Sequence, residues 1–198
     1  MIKLPPHGPH QRIGLFGGSF NPAHLGHRQV ALFALKHLKL DWIWWLVSPQ
    51  NPLKNSNETS DYAKRLALTR QLARHPRFIV TDLEKQIGST YTAQTIKALK
   101  KFSHAHFVWI MGADSFASFH HWHDWVGITK RVPFAVLARP GYSIKALDSK
   151  AAIRFRDKRL SLARPIALAG KKAPRWVFIS MPLRKESSTA IRATRKFV

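Results

Sequence analysis

The chain of 198 residues contains no cysteine. That excludes disulfides and thiolate metal sites and fits a reducing compartment, with the cytoplasm as the expected location. Long hydrophobic runs are also missing. The longest candidates, Trp42 to Val47 and Phe107 to Met111, are strand-sized and fall far short of the roughly 18 apolar residues a membrane helix needs, so no membrane partner is expected. Acidic residues are scarce: 10 Asp+Glu stand against 33 Lys+Arg, leaving a formal charge of +23. Such a field draws polyanions, whether nucleotides, nucleic acid or acidic lipid surfaces. From Ala151 onward thirteen basic residues face two acidic ones, so non-specific nucleic-acid binding through this basic C-terminal region is one expectation.

At 45% hydrophobic and 22% charged, the composition is that of a globular protein with enough residues for one real core. There is no repeat, low-complexity tract or clear domain boundary. Residues 1–11, with Pro5, Pro6 and Pro9 and no apolar core, read as a flexible lead-in without signal-peptide features. Residues 12–198 read as a single domain. Nothing in the pattern bears on oligomeric state.

Strand and helix signals alternate along that domain. Ile13 to Phe16 suits a buried strand, and apolar residues at helical spacing follow from about Ala23 to Leu25. Trp42 to Val47 reads as a second strand, Ser60 as the N-cap of a helix carrying Tyr62, Ala63, Leu66, Leu68 and Leu72, and Phe78 to Val80 as a short strand. Thr92 to Lys101 should be helical, Phe107 to Met111, Val132 to Ala138 and Trp176 to Ser180 extended, and Ser188 to Lys196 helical. Ile144 to Lys172 has no clear pattern. Such alternation predicts an α/β, Rossmann-like doubly wound parallel sheet, with ligands at the carboxyl ends of its strands.

The stretch Arg12 to Val30, RIGLFGGSFNPAHLGHRQV, carries the chemistry. A strand breaks at Gly17 and Gly18 and a helix starts a few residues later. A helix N-terminus offers unpaired N–H groups and a positive dipole end, and the glycines let phosphates approach the chain closely. His24 and His27 are three apart on the first helical turn, where imidazoles can donate to phosphate oxygens and, if protonated, offset charge on a transferring phosphoryl group. The glycine spacing does not fit a GxGxxG dinucleotide loop.

The string Gly17-Gly18-Ser19-Phe20-Asn21-Pro22-Ala23-His24-Leu25-Gly26-His27 resembles the signature of the HxGH nucleotidyltransferase superfamily, which joins a nucleoside monophosphate from a triphosphate to a phosphorylated acceptor. Later motifs are similar to those of the bacterial nicotinate-nucleotide adenylyltransferase family: Pro49 to Lys54, Gly88-Ser89-Thr90-Tyr91-Thr92, Trp109 to Asp114 with Trp122, and Ser187-Ser188-Thr189-Ala190-Ile191-Arg192. Three positions depart from that pattern: Leu53 where His is frequent, Gln94 where Asp is common, and Glu186 where the residue is usually apolar.

The resemblance implies transfer of AMP from ATP to nicotinate mononucleotide, giving deamido-NAD and pyrophosphate. It implies His24 and His27 as catalytic residues. Gly17, Gly18, Ser19, Phe20, Lys54, Ser188, Thr189 and Arg192 would hold ATP and phosphate. Tyr91, Thr92, Asp114 and Trp122 would hold nicotinate mononucleotide, the backbone at Tyr91 and Thr92 facing the pyridine carboxylate and Trp122 stacking on the ring. Mg²⁺ would arrive with ATP, and no protein metal site is expected, His120, His121 and His123 lacking a carboxylate or thiolate partner set. Two alternatives stay open. One is a different acceptor, such as phosphopantetheine or nicotinamide mononucleotide. The other is a basic nucleic-acid-binding protein on the same fold.

Overall fold

A computed structural model describes residues 2–50, 59–161, 165–182 and 186–195. Six parallel strands form one sheet: β1 Arg12–Gly18, β2 Trp42–Val47, β3 Phe78–Thr81, β4 His106–Gly112, β5 Phe134–Leu137 and β6 Trp176–Ile179. Their spatial order is β3-β2-β1-β4-β5-β6. The helices are α1 Leu25–His37, α2 Tyr62–Leu72, α3 Leu83–Ile87, α4 Thr92–Phe102, α5 Ala113–Ala117, α6 Trp125–Arg131, α7 Ser143–Leu147, α8 Lys150–Arg154 and α9 Ser188–Arg195.

Both faces of the sheet are buried, and the strands show why. Successive side chains alternate between two cores. Ile13, Leu15, Trp44, Leu46, Phe107, Trp109, Met111, Phe134, Val136 and Trp176 pack under α4 to α8. Phe16, Ile43, Trp45, Val47, Val108, Ile110, Ala135, Leu137, Val177 and Ile179 pack under α1. An all-apolar strand such as Trp42–Val47 is therefore the sequence of a layer covered on both sides.

β1 sits between β2 and β4, where the strand order reverses. In an open parallel sheet this is the point at which the loops leaving two neighbouring strands run to opposite faces and leave a crevice. The expected break at Gly17 and Gly18 is corrected: β1 runs through both, paired with Leu46 and Val47, because glycines there let the strand lie against the Trp109 and Phe20 rings, and the turn follows from Ser19. That turn and the Gly112-to-Asp114 bend after β4 both open into the crevice.

Several local expectations are corrected. The cap of α2 is Asp61, whose carboxylate accepts the Lys64 backbone N–H at 2.9 Å; Ser60 lies one residue outside the helix. β5 begins only at Phe134, because α6 runs to Arg131 and Pro133 has no N–H to give a ladder. The unpatterned stretch after Tyr142 contains α7 and α8, two five-residue helices that bury Ala146, Ala151 and Ala152. The amino-terminal segment, expected as a flexible lead-in, makes specific contacts. Ile2 and Leu4 pack on the core, the Lys3 N–H donates to Gln86 at 2.8 Å, and a ring nitrogen of His7 hydrogen-bonds Ser103 at 2.7 Å.

Candidate active site

His24 is the N-cap of α1, with an extended backbone, and His27 follows in the first turn. Their ring centroids are 3.8 Å apart. The Nδ1 of His27 accepts the His24 backbone N–H at 3.2 Å, which leaves the imidazole proton on Nε2. The edges of Phe20 and Phe16 stand against that ring, at 5.1 and 6.2 Å between centroids, and hold its direction. Phe20 adopts φ +45°, a left-handed conformation that costs a bulky residue energy; its buried ring, packed on Trp45, retains it there.

His24 is 5% exposed; its ring faces the His27 backbone N–H in the manner of a capping box, but that N–H donates to the His24 carbonyl at 2.9 Å, and neither ring nitrogen completes a hydrogen bond among the described residues. Burial, reinforced by the Arg139 guanidinium, pushes its pKa down to about 4, against a weaker upward pull from Glu186 and Asp114. His24 is thus a neutral imidazole at pH 7: it offers an N–H, while positive charge comes from elsewhere. A buried polar group without a partner costs about 1–3 kcal/mol, so this ring favours whatever ligand completes it. The buried hydroxyl of Ser19, in the turn before the helix, also lacks a partner among the described residues.

The positive charge is that of Arg139, at the carboxyl end of β5. In the sequence, Arg139-Pro140-Gly141 reads only as the stop of the strand Val132 to Ala138. A Cβ placed on Gly26 would lie 3.0 Å from Nη1 of Arg139 and 3.0 Å from Cε1 and Nδ1 of His24. The glycine between the two histidines is thus where His24 and Arg139 close over the helix start. Gly17 serves the other side of the turn, since a Cβ there would stand 2.5 Å from the Trp109 ring. Nε of Arg139 lies 3.8 Å from Asp114, which occupies the first turn of α5.

The last signature reaches the same turn from α9. Ser188 donates its hydroxyl to the Pro22 carbonyl at 3.0 Å, and Arg192 donates to the Asn21 carbonyl at 2.7 Å and to the Thr189 hydroxyl at 3.5 Å. Ser188 and one arm of Arg192 therefore brace the loop before His24, a task not foreseen from the motif. Thr189 is exposed. Lys54 lies outside the described residues.

Tyr91 is the N-cap of α4 and Thr92 its first residue. The Tyr91 N–H already donates to the Ser89 hydroxyl at 3.0 Å and the Gln94 N–H to the Tyr91 carbonyl at 3.0 Å, so the donors open at this helix end are those of Thr92 and Ala93. Ser89 in turn donates to the side-chain oxygen of Gln94, which gives Gln94 a role the expected Asp pattern did not suggest. The Tyr91 ring meets His123 at 4.8 Å, next to Trp122, and so brings α4 beside that segment. Trp122 is half-buried and rests edge-on against Trp109 and Phe119, with its centroid 6.3 and 5.3 Å from theirs.

Behind this end of α4 lies Glu84, 3% exposed, whose carboxylate accepts from the Thr95 hydroxyl at 3.4 Å. Burial raises its carboxyl to about 7, with hydrogen bonding pulling the other way. Of the C-terminal basic residues, Arg154 lies over Trp125 and Arg159 over Trp176 and Phe178, so these aromatic faces are covered within the fold. Among the described residues no group of three His, Asp or Glu is placed to hold a metal ion, and no helix is long and apolar enough to cross a membrane.

Residues 15–194 match the Cytidylyltransferase-like family. A Caulobacter protein named "Probable nicotinate-nucleotide adenylyltransferase" is 50% identical over 182 residues, 91% of this chain and 96% of its own. One of the same name from Cereibacter sphaeroides is 46% identical over 93% of this chain and 98% of its own. Among solved structures, the Plasmodium falciparum nicotinic acid mononucleotide adenylyltransferase complexed with NaAD superposes with a TM-score of 0.68 at 17% identity, covering 93% of this chain and 83% of that one; it supports the Rossmann-like fold. With its paired imidazoles and strand order in place, and relatives this similar over nearly their whole length, the chain belongs to the nicotinate-nucleotide adenylyltransferase family of nucleotidyltransferases.

Proposed function

We propose that this protein transfers AMP from Mg·ATP to nicotinate mononucleotide. The observation that carries this reading is His24: a buried, neutral imidazole, both of whose nitrogens lack a hydrogen-bond partner among the described residues, at a helix N-terminus beside an arginine. That is a receptor for phosphate oxygens.

A phosphate oxygen of nicotinate mononucleotide attacks the α-phosphorus in line. The new P–O bond forms as the bond to the β-phosphate bridging oxygen breaks, and pyrophosphate leaves with the electron pair. Little covalent chemistry is asked of the protein, so positioning and charge neutralisation supply the rate. His24 donates one N–H, and the Nε2–H of His27, turned by its Nδ1 contact, donates another. Arg139 and the start of α1 supply the positive field that a neutral His24 does not.

Gly17, Gly18, Ser19 and Phe20 line the approach of the triphosphate, with Thr189 and the second arm of Arg192 at its outer end. Mg²⁺ enters as part of the substrate and offsets phosphate charge. The first-turn N–H groups of α4 take the pyridine carboxylate, which favours the acid over its amide. Trp122 offers a face to the ring, and Asp114 accepts from a ribose hydroxyl.

The reading is tested by replacing His27 with Ala. Turnover should fall at least a hundredfold with ATP affinity within threefold of the parent, because the bond it makes strengthens at the transition state. Equal losses in both would remove that role.

A further inference from the structure

Arg65, in the first turn of α2, is 1% exposed. Among the described residues, the hydrogen bonds of its guanidinium all go to backbone carbonyls. Nε–H donates to Ser60 at 2.9 Å, Nη1 to Ser19 at 2.6 Å and Ser48 at 2.8 Å, and Nη2 to Pro49 at 2.7 Å. None of the ion pairs among the described residues involves it. Burial holds the pKa of Arg65 below the usual arginine value, outweighing the Tyr62 ring, 5.4 Å from the guanidinium, and the Asp61 carboxylate, which acts on it at longer range. A buried cation held mainly by neutral dipoles is a costly arrangement for stability, and an apolar side chain would fill the same space more cheaply.

The identity of the four carbonyls gives the arrangement its sense. Ser19 belongs to the turn that leaves β1. Ser48 and Pro49 form the exit from β2. Ser60 is where the chain returns to enter α2. A planar fork with five donors is the side chain that can hold three separate pieces of backbone at set distances and angles, whereas the point charge of Lys cannot. Two further bonds run alongside: the Ser48 N–H donates to the Gly18 carbonyl at 3.0 Å, and the Ser60 N–H to the Asn21 side chain at 3.3 Å. Both stems of the segment between Pro49 and Ser60 are therefore tied to the nucleotide-facing turn through one guanidinium.

We propose that Arg65 is a positioning residue for the transfer: by clamping Ser19 to Ser48, Pro49 and Ser60, it holds the triphosphate side of the site in register with the loop at the end of β2. It touches no reacting atom. The proposal rests on the adenylyl-transfer reading for its kinetic consequence, and on the hydrogen bonds alone for its structural one.

The test is Arg65→Lys in the full chain, measured well below its melting temperature. We expect kcat to fall ten- to a hundredfold with the ATP KM within threefold of the parent. Amide hydrogen exchange should quicken at Ser48 and Ser60 while the sheet amides are unchanged. In Arg65→Ala, millimolar ethylguanidinium should restore part of kcat in a saturable way. A role in stability alone would lower the melting temperature with kcat per folded molecule intact; that result overturns the proposal, as does failure of both variants to fold. The exchange measurement needs no acceptor. If the parent itself releases no pyrophosphate with nicotinate mononucleotide, the substrate reading fails, while unchanged exchange at Ser48 and Ser60 counts against Arg65 independently.

Discussion

Two buried titratable groups give the protein opposing pH dependences, and replacing one should unmask the other. His24 is held near 4 against an ordinary 6.5. Between those values the unfolded chain binds a proton that the folded one refuses, so stability rises with pH. Glu84 is raised to about 7 against an ordinary 4.5, so there the folded chain keeps a proton that the unfolded one releases, and stability falls with pH.

Each group acts with a slope of up to about 1.4 kcal/mol per pH unit, so over the shared window from about pH 4.5 to 6.5 each contribution approaches 3 kcal/mol, with opposite sign. In the parent they largely cancel. In Glu84→Gln, stability should climb by about 2–3 kcal/mol from pH 4.5 to 6.5. In His24→Asn it should fall by a similar amount. His75 and His120 are also lowered, by burial first, and add a smaller upward slope common to parent and variants. Urea unfolding at fixed ionic strength, at pH 4.5, 5.5, 6.5 and 7.5, reads the slopes directly. Variant profiles parallel to that of the parent would refute the assignment of both protonation states.

Gly26→Ala should separate stability from activity. Helix propensity favours the variant by up to about 1 kcal/mol, yet the new methyl meets His24 and Arg139 at 3.0 Å, so we expect a melting temperature within a few degrees of the parent and turnover lowered on the order of tenfold. Unchanged turnover would show that the packing of those two side chains is not critical. Trp122→Ala should raise the nicotinate mononucleotide KM at least tenfold with the ATP KM within twofold, as steady-state kinetics with each substrate varied would show; equal effects on both would make Trp122 a packing residue. Binding of a fluorescent single-stranded oligonucleotide to the basic surface should weaken steeply as salt rises from 50 to 300 mM, and binding insensitive to salt would contradict a purely electrostatic contact.

Much of this architecture is legible in the sequence where one physical signal dominates. Trp42–Val47 is apolar throughout because it lies between two cores, and its bounds follow from the sequence alone. The two histidines are legible because helix-end geometry restricts the residue types, whereas the glycines read as ending the strand when they are its last two residues, close approach of the Trp109 ring being as good a reason for glycine as a turn. α3, α7 and α8 are not: each has five residues, too few for a periodic pattern, and each is held by packing. Arg65 and Arg139 were hidden for another reason. In a chain with 33 basic residues an arginine reads as surface, and only the converging carbonyls at one and the glycine contact at the other set them apart. The motif at α9 was read as open to phosphate, yet the same hydroxyl and guanidinium also suit the carbonyls of Asn21 and Pro22, and sequence alone does not separate those partners.

The most direct test of the central claim is pyrophosphate release from Mg·ATP by the purified protein, offered nicotinate mononucleotide and, separately, its amide. Rapid release with the acid, at least tenfold faster than with the amide, is the expected result. Release with neither, or equal release with both, would contradict the site as assigned.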